Sequence, residues 1–336
     1  QPLSTGLWWA ADLTLAWVFT PLHYLQNGWL DLGAASLVVS IMGWLMVIFW
    51  RFHWWLRYVS VLVTLAVCCL LWREKAPSYR WRVDMLDIGH GLAMVVEKNG
   101  RAILYDTGPR WGTGSAATRN IVPFLNWRGL PVDQIVISHD HLDHIGGLEE
   151  LQQAFPLATV RSPRLGAGHL PCVAGESWQW QSLQFQVLWP PKAVKTAGND
   201  DSCVIRIDDG KYSLLLTGDA EKRSEAQLVR HQRHLLRSTI LQVPHHGSKT
   251  SSTPPFLRAV APEAAIASAS RYNKWRLPAV KVVARYRENG IIWRDTSRSG
   301  QLSVLFFDND WQIKGFREQI MPRWYHQRFG VEGDNE

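Results

Sequence analysis

From Leu32 to Trp50 no position is charged, and from Phe52 to Trp72 only Arg57 is. Each run approaches the roughly 20 apolar residues that cross a bilayer. Trp29, Trp50, Trp54, Trp55 and Trp72 stand at or near the ends, where an interfacial belt holds such rings. The pattern predicts two transmembrane helices, 32–50 and 54–72, in a membrane region spanning 1–79. Upstream, 7–26 mixes Asp12, Thr14, His23 and Gln26 with a wide apolar face interrupted by Pro21. That mixture predicts an amphipathic helix lying on the membrane or lining a cavity between helices.

After Pro77 the period changes. Residues 81–88, 92–98 and 102–106 are short runs of apolar and β-branched residues, split by Gly89–Gly91 and by the hairpin dipeptide Asn99–Gly100. Helical spacing over 117–129 ends at Gly129, a strand follows over 134–138, and a second helix starts near Gly147. Residues 157–198 read as mixed short strands and loops. Beyond them, strands at 203–207, 212–219, 238–243, 264–270, 290–294, 301–307 and 311–316 interleave with helices at 221–236, 253–260 and 279–289. Two mixed sheets with helices on their outer faces, an α/β fold of the αββα sandwich type over 80–320, accommodate this order. Residues 321–336 read as a polar tail.

Composition separates the two regions further, since nine of the 19 tryptophans fall in 1–72 while the charge is concentrated beyond residue 72. The opening residues lack the basic start and cleavage pattern of a signal peptide, and the chain reads as the C-terminal piece of a larger membrane protein. Arg51 and Arg57 would hold the inter-helix turn in the cytoplasm, whereas Arg73, Lys75, Arg80 and Arg82 argue the reverse, so charge alone leaves the topology open. Cys68 and Cys69 lie within a membrane run. Cys172 and Cys203 are separated singles that form neither a disulfide framework nor a metal knuckle, and are expected as two unpaired, partly buried thiols; a bridge between them is the alternative in an oxidising compartment.

The candidate chemistry sits at strand ends. His139, His141, Asp143 and His144 form H-x-H-x-D-H directly behind a strand, and Gly146 and Gly147 let the chain turn into a helix. Imidazole and carboxylate together suit Zn²⁺, and also Mn²⁺ or Fe. A second strand ends on Asp219, from which one carboxylate can bridge two ions, and a third ends on His245 and His246. Three strands delivering such side chains at their ends are hard to explain as packing.

H-x-H-x-D-H, then T-G-D, then P-H-H-G-S resembles the metallo-β-lactamase superfamily. Within it, residues Arg82 to Phe316 are similar to the C-terminal domain of the ComEC family, inner-membrane channel proteins of bacterial DNA uptake. The resemblance implies two divalent ions, Zn²⁺ or Mn²⁺. His139 and His141 would hold the first with a ligand from Asn199–Asp201, for which Asp200 is taken. Asp143, His144 and one of the 245–246 pair would hold the second, and Asp219 would bridge. His245, first after the strand, is favoured as the ligand, with His246 and Lys249 contacting phosphate. Asp106 of Y-D-T-G would sit beneath the site and fix a ligand imidazole. The chain departs from the family at G-H-G-L, where Leu92 replaces a carboxylate, and at R-L-P, where Leu277 replaces a histidine.

Two divalent ions suit phosphodiester hydrolysis; the substrate has to be read elsewhere. Net charge is +7, and Arg271, Lys274, Arg276, Lys281 and Arg285 lie in a basic stretch that also bears Tyr272 and Trp275, suited to a phosphate backbone and stacked bases. The expected function is a membrane-tethered, metal-dependent nuclease cleaving DNA during uptake across the bacterial inner membrane. Its C-terminal domain is expected on the periplasmic side, and its partners are DNA, the membrane, the remainder of the channel protein and other DNA-uptake components. The alternatives are a DNA-guiding module without catalysis and a phosphodiesterase acting on the cell envelope.

Overall fold

The computed structural model describes residues 2–24, scattered helical positions between 40 and 65, and residues 79–328 except 167. Two compact units divide the chain, Gln1–Glu74 and Lys75–Glu336. In the first, helix α1 (Pro2–Tyr24) exposes Leu7, Trp8, Trp9, Leu13, Trp17 and Phe19; the segment 7–26 is thus helical as far as Tyr24. Among the described residues no helix is long and apolar enough to cross a membrane. The expected spans 32–50 and 54–72 lie outside the described residues save for those scattered positions.

The second unit supplies β1 (Trp81–Met85), β2 (Met94–Lys98), β3 (Arg101–Tyr105), the short hairpin β4 (Arg110–Trp111) and β5 (Gly114–Ser115), β6 (Val132–Val136), β7 (Thr159–Ser162) and β8 (Leu170–Pro171). Then come β9 (Ser177–Trp180), β10 (Leu183–Trp189), β11 (Val204–Asp208), β12 (Ser213–Leu216), β13 (Ile240–Gln242), β14 (Ala264–Ala267), β15 (Ile292–Asp295), β16 (Leu302–Phe306) and β17 (Trp311–Gly315). One sheet of eight strands runs β17-β16-β1-β2-β3-β6-β7-β8, and another of seven runs β15-β14-β13-β12-β11-β10-β9.

The inner strands are buried on both faces because both faces are covered. Met94, Val96, Ile103 and Tyr105 point into one core with Ile205, Ile207, Leu214 and Leu216 of the other sheet. Their neighbours Val95, Leu104 and Ile135 meet Phe124, Leu125 and Leu151 of outer helices Val122–Arg128 and Leu148–Ala154. On the far side Leu215, Leu241 and Ala265 meet Leu228, Phe256 and Tyr286. The period of two divides each strand between two cores, giving the αββα layering expected, and each fully buried Leu, Ile or Phe contributes about 1.5–3 kcal/mol.

Where the sheets become parallel, the strand ends gather. β3 and β6 are parallel in the first sheet, as are β12, β13 and β14 in the second. Loops leaving the C-terminal ends of parallel strands form the usual crevice of such folds. The stretch expected as a polar tail instead carries a short helix, Trp324–Arg328.

The Cys172–Cys203 expectation is corrected. The two sulfurs are bonded, with Cα atoms 5.8 Å apart, and both residues are fully buried between the sheets. Cys172 follows β8 and Cys203 precedes β11, so only the stacking of one sheet on the other brings them together.

Glu225, on helix Lys222–His231, is buried; its two carboxylate oxygens accept the backbone N–H groups of Ser252 (2.5 Å) and Thr253 (2.8 Å). Burial pushes its carboxyl from 4.5 up to about 7, against those donors and Arg285. The folded chain therefore holds this proton more tightly than the unfolded one does. The associated stability is complete below about pH 4.5 and is lost as pH rises to about 7, a change of about 3 kcal/mol. Urea unfolding of the parent and Glu225→Gln across pH 4.5–7.5 checks this. The stability difference between the two should shift by that amount in that direction; a constant difference refutes it.

Candidate metal centre

Asp106 follows β3 in a left-handed conformation (φ 62°) and is fully buried. One of its carboxylate oxygens accepts the Ser138 N–H at 2.6 Å; the other accepts the Ser138 hydroxyl at 2.7 Å and lies 2.7 Å from His144 Nδ1. It thereby ties the loop after β6 to the end of β3 and turns His144 so that Nε2 faces the crevice. Gly91 assists from the other side: at φ 115° its backbone passes so near Asp143 that a Cβ would lie 2.3 Å from the Asp143 carbonyl oxygen. The Leu92 N–H donates to that same oxygen at 3.2 Å.

Into this crevice the second sheet sends Asp219, beyond β12, and His246, beyond β13. His144 Nε2 lies 3.3 Å from Asp219 Oδ1 and 3.7 Å from Asp143 Oδ2, and His246 Nε2 lies 3.6 Å from both Asp143 Oδ2 and Asp219 Oδ2. His246 Nδ1 donates to the Ser268 carbonyl at 3.0 Å, which leaves Nε2 as its lone-pair nitrogen. Donor atoms of Asp143, His144, Asp219 and His246 all lie within 4.8 Å of one another.

The test of fit is what these atoms lack. His139 Nε2, His144 Nε2, His246 Nε2 and Asp219 Oδ1 are buried without a hydrogen-bond partner. Buried polar atoms are nearly always satisfied, because leaving one bare costs about 1–3 kcal/mol. A divalent cation would satisfy those of them that converge, His144 Nε2, His246 Nε2 and Asp219 Oδ1, and nitrogen and carboxylate donors are the set Zn²⁺ and Mn²⁺ accept.

The charges fit the same reading. Burial opposes ionisation of Asp219, yet the nearby His144 and His246 outweigh it and hold the carboxyl well below its usual range. Burial likewise opposes a charge on His144, but Asp219 and then Asp106 raise its pKa well above the ordinary imidazole value. Burial, then the charge of His144, holds the His139 imidazole far below its ordinary pKa. A proton and a cation thus compete for His144 Nε2.

The expected residues are not all assembled. His139 and His144 are buried in the crevice, and His141 is exposed with its ring 4.6 Å from that of His139. The order expected for the histidine pair is reversed, because His246 rather than His245 joins the convergent group. Both stand at positive φ (48° and 53°), and this left-handed turn swings the second imidazole inward. Asp200 faces away: its Oδ1 accepts the Ser224 N–H and hydroxyl at 3.1 and 2.9 Å. Lys249 is exposed on the following turn. Of the basic residues, Arg271, Lys274, Arg276 and Lys281 are exposed, whereas Arg285 is committed to the fold through the Ser252 carbonyl. Leu92 packs in the core between the sheets, so the family carboxylate absent there leaves no gap in the crevice.

Sequence reasoning missed two contributors. His90 Nε2 lies 3.4 Å from Asp143 Oδ2, and its ring stacks on Trp275 at 4.1 Å and 19°; burial, then His246, lowers its pKa to about 4. Glu221 accepts from Asn199 Nδ2 (3.2 Å) and the Thr250 hydroxyl (3.0 Å) and lies 3.1 Å from His245 Nδ1. A histidine between two glycines and a glutamate two residues beyond Asp219 were the available signals.

Asp106→Asn is expected to weaken metal affinity about 10–100-fold, as loss of a carboxylate that orients a ligand imidazole does elsewhere. Titration with a chromophoric chelator competitor reads this directly, and parental affinity in the variant rules out the orienting role.

The family model for the metallo-beta-lactamase superfamily matches residues 86–271. The chain is 44% identical over 335 residues to the Uncharacterized protein YcaI of Escherichia coli, covering 99% of this chain and 44% of that one. It is 40% identical over 280 residues to Recombination protein 2 of Haemophilus influenzae (82% and 35% covered). It is 37% identical over 232 residues to Competence protein ComA of Neisseria gonorrhoeae (68% and 33% covered). The chain therefore spans less than half the length of these relatives.

Proposed function

The chain belongs to the metallo-beta-lactamase superfamily, a hydrolase family, and from that premise we propose that it is a metal-dependent phosphodiesterase that cleaves DNA during uptake, as part of a ComEC-type channel. Asp143, His144, Asp219 and His246 would hold one divalent ion; His139 and His141 would hold a second beside Asp219. Such a pair, when bound, acidifies water and takes up charge developing on a phosphoryl oxygen. The protein's own contribution is to fix the donors. Asp106 and the Ser268 carbonyl set the imidazole tautomers, and buried walls around His139 and His144 keep bulk water from competing for their lone pairs.

The observation that carries the nucleic-acid reading is the loop 271–276. Lys274 Nζ lies 4.5 Å from the Trp275 ring centroid, Arg271 lies beside the 87% exposed ring of Tyr272, and Trp275 stacks on His90 against Asp143. A cationic and aromatic edge running up to the donor cluster suits a phosphate backbone with bases to stack. Relatives named for recombination and competence agree with that substrate. The buried Cys172–Cys203 bond favours an oxidising compartment, hence the periplasmic side of an inner-membrane protein.

The purified 336-residue chain is expected to cut DNA only with Mn²⁺ or Zn²⁺ present. Chelation should stop cleavage and added metal restore it, with binding that weakens steeply as salt rises. Binding without cleavage in any metal would instead favour a DNA-guiding module.

A further inference from the structure

A cation held by His139 and His141 would need a third donor, which the superfamily resemblance would seek in Asn199–Asp201. The side chains of Asn199–Asp201 are engaged elsewhere: Asn199 Nδ2 donates to Glu221, Asp200 accepts from Ser224, and Asp201 Oδ2 accepts the Gly198 N–H at 3.1 Å. The Asn199 amide oxygen is the buried atom of that turn that stays unpaired.

We propose that His245, oriented by Glu221, is the imidazole that completes this second cation position. The inference rests on the metal reading above and extends it to a ligand set particular to this chain. His245 and His246 approach one carboxylate oxygen, with Nε2 atoms 3.7 Å and 3.6 Å from Asp219 Oδ2. His246 joins Asp143 and His144 in the convergent donor group and His245 does not, so the two imidazoles address different sides of Asp219. With Asp219 as the shared group, His246 faces the Asp143–His144 cluster and His245 is left for the other ion. His139 belongs with that other position: its ring lies 4.2 Å from that of His144 and 4.6 Å from that of His141, and its buried Nε2 has no partner.

The tautomer is set for ligation. His245 Nδ1 hydrogen-bonds to the Thr250 hydroxyl at 3.0 Å, and that hydroxyl gives its own proton to Glu221 Oε1, which also lies 3.1 Å from Nδ1; the imidazole proton is thereby held on Nδ1 and the Nε2 lone pair is left toward Asp219. A carboxylate behind the distal ring nitrogen is how metal-binding histidines are usually oriented. Glu221 is itself held by Thr250 and Asn199. The bland reading is a partly exposed ion pair between His245 and Glu221. It leaves unexplained why the free nitrogen is turned to a second carboxylate, 3.7 Å from Asp219 Oδ2.

Metal content of the full chain, measured by elemental analysis after equilibration with Mn²⁺ or Zn²⁺, tests this. The parent is expected to carry two ions and His245→Ala one. Glu221→Gln should keep two, with the weaker dissociation constant raised about 10–100-fold, and the Co²⁺-loaded variant should show an altered ligand-field band. Should His245→Ala fail to give a cooperative melt, His245→Gln is measured in its place with the same expectation. Two ions at parental affinity without the His245 imidazole overturn the inference, as does loss of an ion from Asn199→Ala but not from the His245 variant. In either case the metal reading stands. A parent that binds no ion overturns both.

Discussion

Asp219→Asn is expected to abolish metal retention and to lower the hydrolytic rate at least about a thousandfold, roughly 4 kcal/mol of lost transition-state stabilisation. Shape is conserved, so the effect isolates the charge. Asp219 is the residue on which the site converges: His144, His245 and His246 all present Nε2 to it within 3.3–3.7 Å. Asparagine keeps one carbonyl oxygen and presents an amide N–H₂ where the second lone-pair donor stood, so one face of the site would repel a cation. The fold should survive, since the Asp219 N–H still reaches the Ser202 hydroxyl at 3.2 Å. Metal content, cleavage rate and melting temperature measured on the same preparation separate the outcomes. Retained metal with a parental rate would remove Asp219 from the chemistry; a lost melt would make the variant a folding mutant.

Reducing the Cys172–Cys203 bond, or replacing either residue by Ser, is expected to cost about 3–4 kcal/mol and to lower the melting temperature by about 10 °C. The bond closes a loop of sequence separation 31, and constraint of the unfolded chain grows with loop length. Both sulfurs are buried, so a serine hydroxyl there would also need a partner that the apolar core does not offer. Melts with and without reductant, with free thiols counted by mass, read the effect; an unchanged melt in chain shown to be fully reduced would refute it.

Much of the fold was legible because the strands of the sandwich are short and the central ones are buried on both faces, with glycines and Asn-Gly marking the turns. The helices at 253–260 and 279–289 emerge as Pro254–Val260 and Val280–Glu288. Asp143, His144 and Asp219, which the structure gathers with His246, could be picked out as candidates because they follow strand ends directly. What escaped depends on tertiary placement. The order of His245 and His246 turns on two positive φ angles, a property of the backbone rather than of residue type. Asp200 looked like a donor by position, but helix Lys222–His231 offers its carboxylate the Ser224 N–H and hydroxyl. Arg285 looked like a surface cation, yet carbonyls of the turn it packs against capture it. The cysteine pair is separated by two strands in sequence and joined across the stacked layers.

The loops carrying Asp106, His139 and His144 leave one sheet, and those carrying Asp219 and His246 leave the other. Any ion shared among them is therefore a clasp between the halves of the sandwich, closing one rim as the sulfur bridge fastens the interior. Ion loading should be felt as mechanical cohesion by the whole domain, because prising the layers apart requires surrendering the ion first. Catalytic competence and resistance to unfolding would then rise and fall together with the supply of metal.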